Sequence, residues 1–217
     1  MSEWFDLIDR NIQHYCDSHT SKESEILYEL YRETHLKNLY PRMLSAKSQG
    51  TFLQMICRLL QPGRILELGT FTGYSTLCMA ETLTEDGMIV TIEKNPEQEA
   101  IIRKYIQKAG FEEKVKLLIG NALDLIPTFN ERWDLIFIDA DKINYLHYYH
   151  LLIPSLSNRG MMLVDNVLWS GKVIEEVKQN DKETKAILEF NSFVQQDHRV
   201  KNMILPFRDG IMMIQKR

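Results

Sequence analysis

The chain has 217 residues, 44% of them hydrophobic and 26% charged, with a formal net charge of −4 and a sequence pI of about 5.9. That length suffices for one domain with a substantial core, and an acidic balance without a basic stripe argues against a nucleic-acid partner. Cys16, Cys57 and Cys78 are widely spaced and form no C-x-x-C, so they are expected to be small buried hydrophobes in a reducing compartment. The acids in "MSEWFDLIDRN" and the lack of any membrane-length apolar run predict a cytoplasmic protein without a membrane partner.

Three helical patterns come first: "EWFDLIDRNIQHY", "SEILYELYRETHLKNLY" and "QGTFLQMICRLL". They predict an N-terminal helical cap over residues 1–60, ahead of an α/β core over 61–217 in the same single domain. In the core, short apolar runs alternate with amphipathic stretches. The runs are "RILELG" (64–69), "MIVTIEK" (88–94), "VKLLIG" (115–120), "DLIFIDA" (134–140) and "GMMLVDN" (160–166), each too short for a buried helix. Between them, "PEQEAIIRKYIQKAG" repeats its apolar residues at helical spacing, with Pro96 in the first turn and Gly110 at the stop. "YLHYYHLLIPSL" does the same through Leu156, and "DKETKAILEFNSFVQQ" follows the fifth run. Strands alternating with helices predict a parallel sheet covered on both faces. The last two runs, "VKNMILPF" and "DGIMMIQKR", are joined too tightly for a parallel crossover and should pair antiparallel. The expected fold is α/β: a doubly wound, mostly parallel, seven-stranded Rossmann-like sheet with a final antiparallel strand.

In such sheets ligands bind beyond the C-terminal strand ends. The first turn, Gly69 to Gly73, is G-x-x-x-G rather than G-x-G-x-x-G, so the pyrophosphate cradle is incomplete. Glu93 ends the second strand, where a carboxylate accepts hydrogen bonds from both hydroxyls of a ribose. Glu67 adds an acid that would repel a diphosphate but suits the ammonium and sulfonium of S-adenosylmethionine. The plain alternative for Glu67 is a buried acid paired to a backbone amide. Asp139 ends the fourth strand and Asp165-Asn166 the fifth, and neighbouring strands would bring them together as an all-oxygen set for a hard cation. Singly, each is better explained as a helix cap. His147 and His150 fall on one helix and are expected to be solvated.

With "ILELGTFTGYS", "VTIEKNP", "FIDADKINYLHYY", "VDNVLWSGKV" and "LPFRDGIMMIQKR" in place, the sequence resembles class I S-adenosylmethionine-dependent methyltransferases. Specifically, it is similar to the cation-dependent O-methyltransferases that include the caffeoyl-CoA and catechol enzymes. The resemblance runs from about residue 41 to the C-terminus. It implies metal ligation by Asp139, Asp165 and Asn166, with Mg²⁺, Ca²⁺ or Mn²⁺ as the divalent cation. It implies cofactor contacts from Glu67, Gly69, Phe71, Ser75 and Asp139, with Glu93 at the ribose and Ala122 near the adenine. Asp141 and Tyr148 would touch the amino-acid end, and Met43 and Ser45 would close over the cofactor. Lys142 matches the general base; pairing with Asp139 or Asp141 is the alternative for it, and a cap role stands beside the cofactor role of Asp141. The implied acceptor is a small aromatic hydroxyl compound of catechol type, and a homodimer is implied too. Ser170 stands where plant relatives commonly carry Asn, so the acceptor itself does not transfer. A nicotinamide-dependent oxidoreductase and a non-catalytic cofactor-binding module are the rival readings.

Overall fold

The computed structural model describes residues 9–39, 41–45 and 47–217. Helix α1 (Arg10–Ser18) opens on Asp9, whose carboxylate accepts the Asn11 and Ile12 amides. Helix α2 (Glu25–Lys37) opens on Ser24, whose hydroxyl accepts the Leu27 amide. Such caps satisfy first-turn donors that have no partner inside the helix. Helix α3 (Lys47–Leu60) follows a single 3-10 turn at Pro41–Met43. The beginning of the first expected helix, and Tyr40 at the end of the second, lie outside the described residues.

Strands and helices then alternate: β1 (Arg64–Leu68), α4 (Tyr74–Ala80), β2 (Met88–Glu93), α5 (Glu99–Lys108), β3 (Val115–Ile119), α6 (Ala122–Leu125), β4 (Trp133–Ile138), α7 (Tyr145–Leu152), β5 (Leu156–Val164), α8 (Lys182–Gln196), β6 (Val200–Leu205) and β7 (Ile211–Lys216). One seven-stranded sheet results, in the order β3-β2-β1-β4-β5-β7-β6. It is parallel from β3 to β5, and β7 runs antiparallel to both β5 and β6. The expected doubly wound sheet with its reversed hairpin is what forms.

Two expectations need correction. β5 begins at Leu156, which the apolar spacing placed on the preceding helix, with the strand starting only at 160. Its first part, Ser157-Asn158-Arg159, is polar and partly exposed, so no apolar run marks it as strand. The register shifts between the pairs Trp133↔Leu156 and Leu135↔Met161, an irregularity of the kind that bends a strand at a sheet margin. Second, Cys57 and Cys78 are buried but Cys16 is exposed. It lies on α1, where no described side chain is buried.

Because successive strand residues point to opposite faces, the sheet divides two cores. Leu66, Leu68, Ile136 and Ile138 pack with Tyr145, Tyr149, Leu152, Phe190 and Val194 from α7 and α8. Ile65, Leu135, Phe137 and Leu163 pack with Leu77 and Ile102 and with Leu27, Leu30 and Leu53. The last three are buried to within 1%, roughly 1.5–3 kcal/mol apiece, which makes α2 and α3 part of the layer. Polar contacts add to the docking of α2. Thr34 Oγ1 donates to Thr72 Oγ1 at 3.0 Å, while Glu33 accepts Lys104 Nζ at 2.5 Å and the Tyr105 hydroxyl at 2.8 Å. Among the described residues, no helix is long and apolar enough to cross a membrane.

Candidate active site

The chain winds one way from β1 and the other way from β4, so their C-terminal ends flank the crevice where such sheets bind ligands. Gly69 follows β1 and Asp139 follows β4. The two segments run so close that a Cβ on Gly69 would lie 2.0 Å from the Asp139 carbonyl oxygen. Gly69 also has φ +93°, so both space and backbone angle call for glycine. Gly73, at φ +95°, caps α4. Between them, Phe71 at φ 52° aims its N–H at Glu93 Oε2, 2.7 Å away. Glu93 Oε1 accepts the Asn95 N–H at 2.8 Å. Each Glu93 oxygen therefore has one protein donor and keeps capacity for a ligand hydroxyl. Met43, Ser45, Gly69, Phe71, Ser75 and Asp139, all expected at the cofactor, line a single cleft together with Leu44, Thr70 and Tyr74.

Glu67 lies behind that cleft with no exposed surface. Its partners are hydroxyls, not a backbone amide: Ser75 Oγ at 2.5 Å, Thr91 Oγ1 at 2.6 Å, and Thr76 Oγ1. Burial pushes its pKa up to about 7 against the pull of the three hydroxyls, and the Asp139 charge adds to the rise. It meets the cleft through Ser75. Ala122, the first residue of α6, is buried past the end of β3. Asp141 Oδ1 accepts the Tyr148 hydroxyl at 2.6 Å, and its other oxygen accepts Asn144 Nδ2. Asp141 stands at the N-cap of the short helix that follows but makes no side-chain cap bond. The cap reading of this residue is therefore wrong.

β4 and β5 pair through Ile138↔Val164, which sets Asp139 and Asp165 side by side. Asp139 Oδ1 accepts Lys142 Nζ at 2.9 Å, the pairing kept open as the alternative for this lysine. Burial presses the Lys142 pKa down, but Asp139, Tyr145 and Asp165 outweigh it and hold the group above the ordinary lysine value. Asp165 is 4% exposed. Burial and the neighbouring Asp139 push its pKa up to about 6. Asn166 Nδ2 donates to Asp209 Oδ2 at 3.3 Å, which turns the amide oxygen away from that acid. Among the described residues no three His, Cys, Asp or Glu side chains form a metal cluster. The set here is two carboxylates and one amide oxygen, a donor set that fits a hard divalent cation.

Three residues near this set escaped the sequence reading. Gln49, on α3, donates Nε2 to Asp165 Oδ2 at 2.6 Å; its helix signalled only apolar spacing. Asp209, in the hairpin turn, also accepts the Ser170 N–H at 2.5 Å. Trp169 sets its ring 6.0 Å from Lys142 Nζ and 5.7 Å from Lys172 Nζ. Its indole nitrogen is buried without a hydrogen-bond partner among the described residues. Asn166, Trp169 and Ser170 all have positive φ, at 58°, 47° and 54°, a run of uncommon backbone of the kind that gathers at functional sites. Positive φ at all three was not legible, because glycine is the usual sign of it. His147 and His150 are exposed, as expected.

A family model described as O-methyltransferase matches residues 17–217. The chain belongs to the O-methyltransferase family. It is 33% identical over 206 residues to caffeoyl-CoA O-methyltransferase 2 of Populus trichocarpa, covering 90% of this chain and 83% of the relative. It is 40% identical over 141 residues to a catechol O-methyltransferase of Niastella koreensis, 63% of each. An O-methyltransferase from Bacillus cereus, solved in complex with SAH, superposes with a TM-score of 0.88 at 29% identity, over 95% of this chain and 97% of that one. The protein is thus an S-adenosylmethionine-dependent O-methyltransferase with the Rossmann-like fold of that family. The nicotinamide and non-catalytic readings fall away.

Proposed function

We propose that this O-methyltransferase methylates a hydroxyl of a small catechol-type aromatic acceptor with the help of a divalent cation. The observation that carries the reading is the meeting of Asp139, Asp165 and Asn166 at paired strand ends, next to Lys142 and the Trp169 ring. Relatives named for caffeoyl-CoA and catechol support it. S-adenosylmethionine would occupy the cleft lined by Met43, Ser45, Gly69, Phe71 and Ser75, with Glu93 taking the ribose hydroxyls and Ala122 beside the adenine. Asp141 and Tyr148, already bonded to each other, would meet the amino-acid end. Glu67 supports the donor by holding Ser75.

Asp139, Asp165 and Asn166 would hold the cation, Mg²⁺ being the first choice and Ca²⁺ or Mn²⁺ the others. Such a cation supplies a lowered pKa for a chelated acceptor hydroxyl. Trp169 provides an apolar wall for the acceptor ring, and its unpaired N–H a donor beside it. For Lys142 two readings stand. As a general base it accepts the proton of the attacking hydroxyl. As the ammonium seen paired with Asp139, it instead steadies negative charge on the acceptor oxygen; the close pair favours this second reading. We also propose a cytoplasmic homodimer without nucleic-acid partners; α2 and α3 leave Tyr28, Leu36, Met55 and Leu59 exposed, surface that a second copy would cover. The test is a methyl-transfer screen over catechols, hydroxycinnamoyl thioesters and flavonoids. EDTA should abolish transfer and Mg²⁺ restore it; full turnover in EDTA would sink the metal part.

A further inference from the structure

We propose that Gln49 is a positioning residue that fixes the Asp165 carboxylate for cation binding from across the fold. The inference rests on the metal reading above. Asp165 makes two hydrogen bonds with its carboxylate, one on each oxygen: the Asn166 N–H at 2.8 Å on Oδ1 and Gln49 Nε2 at 2.6 Å on Oδ2. The first comes from the next residue and moves with the same turn. The second comes from α3, on a side chain 2% exposed, and anchors the carboxylate to a different element. α3 is itself held by Leu53 and Cys57, both fully buried, so the anchor has a rigid base.

The chemistry of the donor matters as much as its place. A carboxylate has about four lone-pair sites. Two are occupied here, which fixes the plane of the group and leaves one site on each oxygen for a cation. An amide donates without charge, so it orients Asp165 yet leaves the negative charge for the metal. Asp139, by contrast, already shares its charge with Lys142 at 2.9 Å. The two carboxylates are therefore held differently: Asp139 by an ammonium, Asp165 by neutral donors, of which Gln49 is the one from another element. Partners that orient a metal ligand in this way typically carry a 10–100-fold share of metal affinity.

The experiment titrates Mn²⁺ into the wild-type enzyme, Gln49→Met and Gln49→Asn, reading free Mn²⁺ by its electron paramagnetic resonance signal. S-adenosylhomocysteine affinity is measured on the same samples. Methionine fills the space without a donor, and asparagine keeps the amide but withdraws it by one methylene. Both should weaken Mn²⁺ about 10–100-fold while S-adenosylhomocysteine affinity changes less than about threefold, a split that general loosening of the fold would not give. If the variants bind Mn²⁺ as tightly as wild type, Gln49 has no positioning role, although the metal reading stands. Parallel losses of Mn²⁺ and S-adenosylhomocysteine affinity would also overturn it, in favour of a packing role. Wild-type protein that binds no Mn²⁺ would overturn the metal reading and this inference together.

Discussion

The glycine after β1 allows a sharp test of how the site is assembled. Gly69→Ala would set a Cβ 2.0 Å from the Asp139 carbonyl oxygen, 2.8 Å from its carbon and 3.3 Å from the Ala140 nitrogen. All three neighbours are backbone, so relief requires the ends of β1 and β4 to part by about an ångström, well beyond what a core absorbs without strain. That movement strains the Asp139 N–H bond to the Leu68 carbonyl, 2.9 Å, and the Gly69 N–H bond to the Ile92 carbonyl, 3.0 Å. A left-handed alanine costs roughly 1–2 kcal/mol, overpacking roughly 1–3 kcal/mol, and weakened backbone bonds about 1 kcal/mol. The sum, about 3–6 kcal/mol, is a large part of the roughly 5–15 kcal/mol that holds a domain. Gly73→Ala is the control. Its φ is nearly the same, but its Cβ would meet only Ile102 Cγ2 at an ordinary 3.6 Å, so it should lose only the backbone share, roughly 1–2 kcal/mol. Urea unfolding of the two variants isolates the steric part. Equal losses would mean that β4 does not press on Gly69 as described.

Other outcomes follow from the buried acids and the aromatic wall. Burial pushes the folded Glu67 pKa up to about 7 from the ordinary 4.5 of a glutamate, so between those values the folded state holds a proton that the unfolded chain has released. Its contribution is fully present below about pH 4.5 and falls by about 3 kcal/mol as the pH rises to 7. Gln in its place should flatten that part of the fall in urea titrations at pH 5 and 8; an unchanged slope would assign it to other groups, Asp165 first among them. Lys142→Arg keeps the charge but cannot accept a proton at working pH, whereas Lys142→Met removes both. If the lysine acts as a cation, arginine should retain far more turnover than methionine; if it acts as a base, both should fall together, by about 10²–10⁴-fold. Trp169→Ala should raise the acceptor KM about tenfold and leave that of S-adenosylmethionine unchanged, as an apolar ring contact of about 1.4 kcal/mol implies. A shift in the cofactor KM alone would place the indole elsewhere.

The sheet was legible because its strands are apolar through and through. "RILEL" and "DLIFI" are covered on both faces, so they read as strands without alternation, and their order follows from right-handed crossovers. β5 was misread at its start for the opposite reason: Ser157-Asn158-Arg159 sits where the sheet margin lets polar residues extend. The lining of the cleft was legible where it directly follows a strand end, as at Gly69 and Asp139. It was illegible where the residue's work depends on a distant partner. Nothing near Gln49 in the chain announces Asp165, 116 positions away. Asp209 looks like an ordinary turn acid until its bonds to Asn166 and Ser170 are seen.

The G-x-x-x-G spacing of the first turn reads as an incomplete phosphate cradle, whereas the close approach to Asp139 gives Gly69 a reason that involves no phosphate. Asp139 is the residue common to both halves of the site. Its backbone closes against the turn that lines the cleft after β1, and its carboxylate faces Lys142 beside Asp165. Methyl transfer requires the donor carbon and the acceptor oxygen to meet in line, with little tolerance for an ångström of error. On the proposed function, a single residue pinned by its main chain to the cleft after β1 and offering its side chain to the cation is a short route to that alignment. The backbone approach at Gly69, 2.0 Å for an added Cβ against 2.9 Å at Gly160 and 3.2 Å at Gly87, falls where the two halves meet.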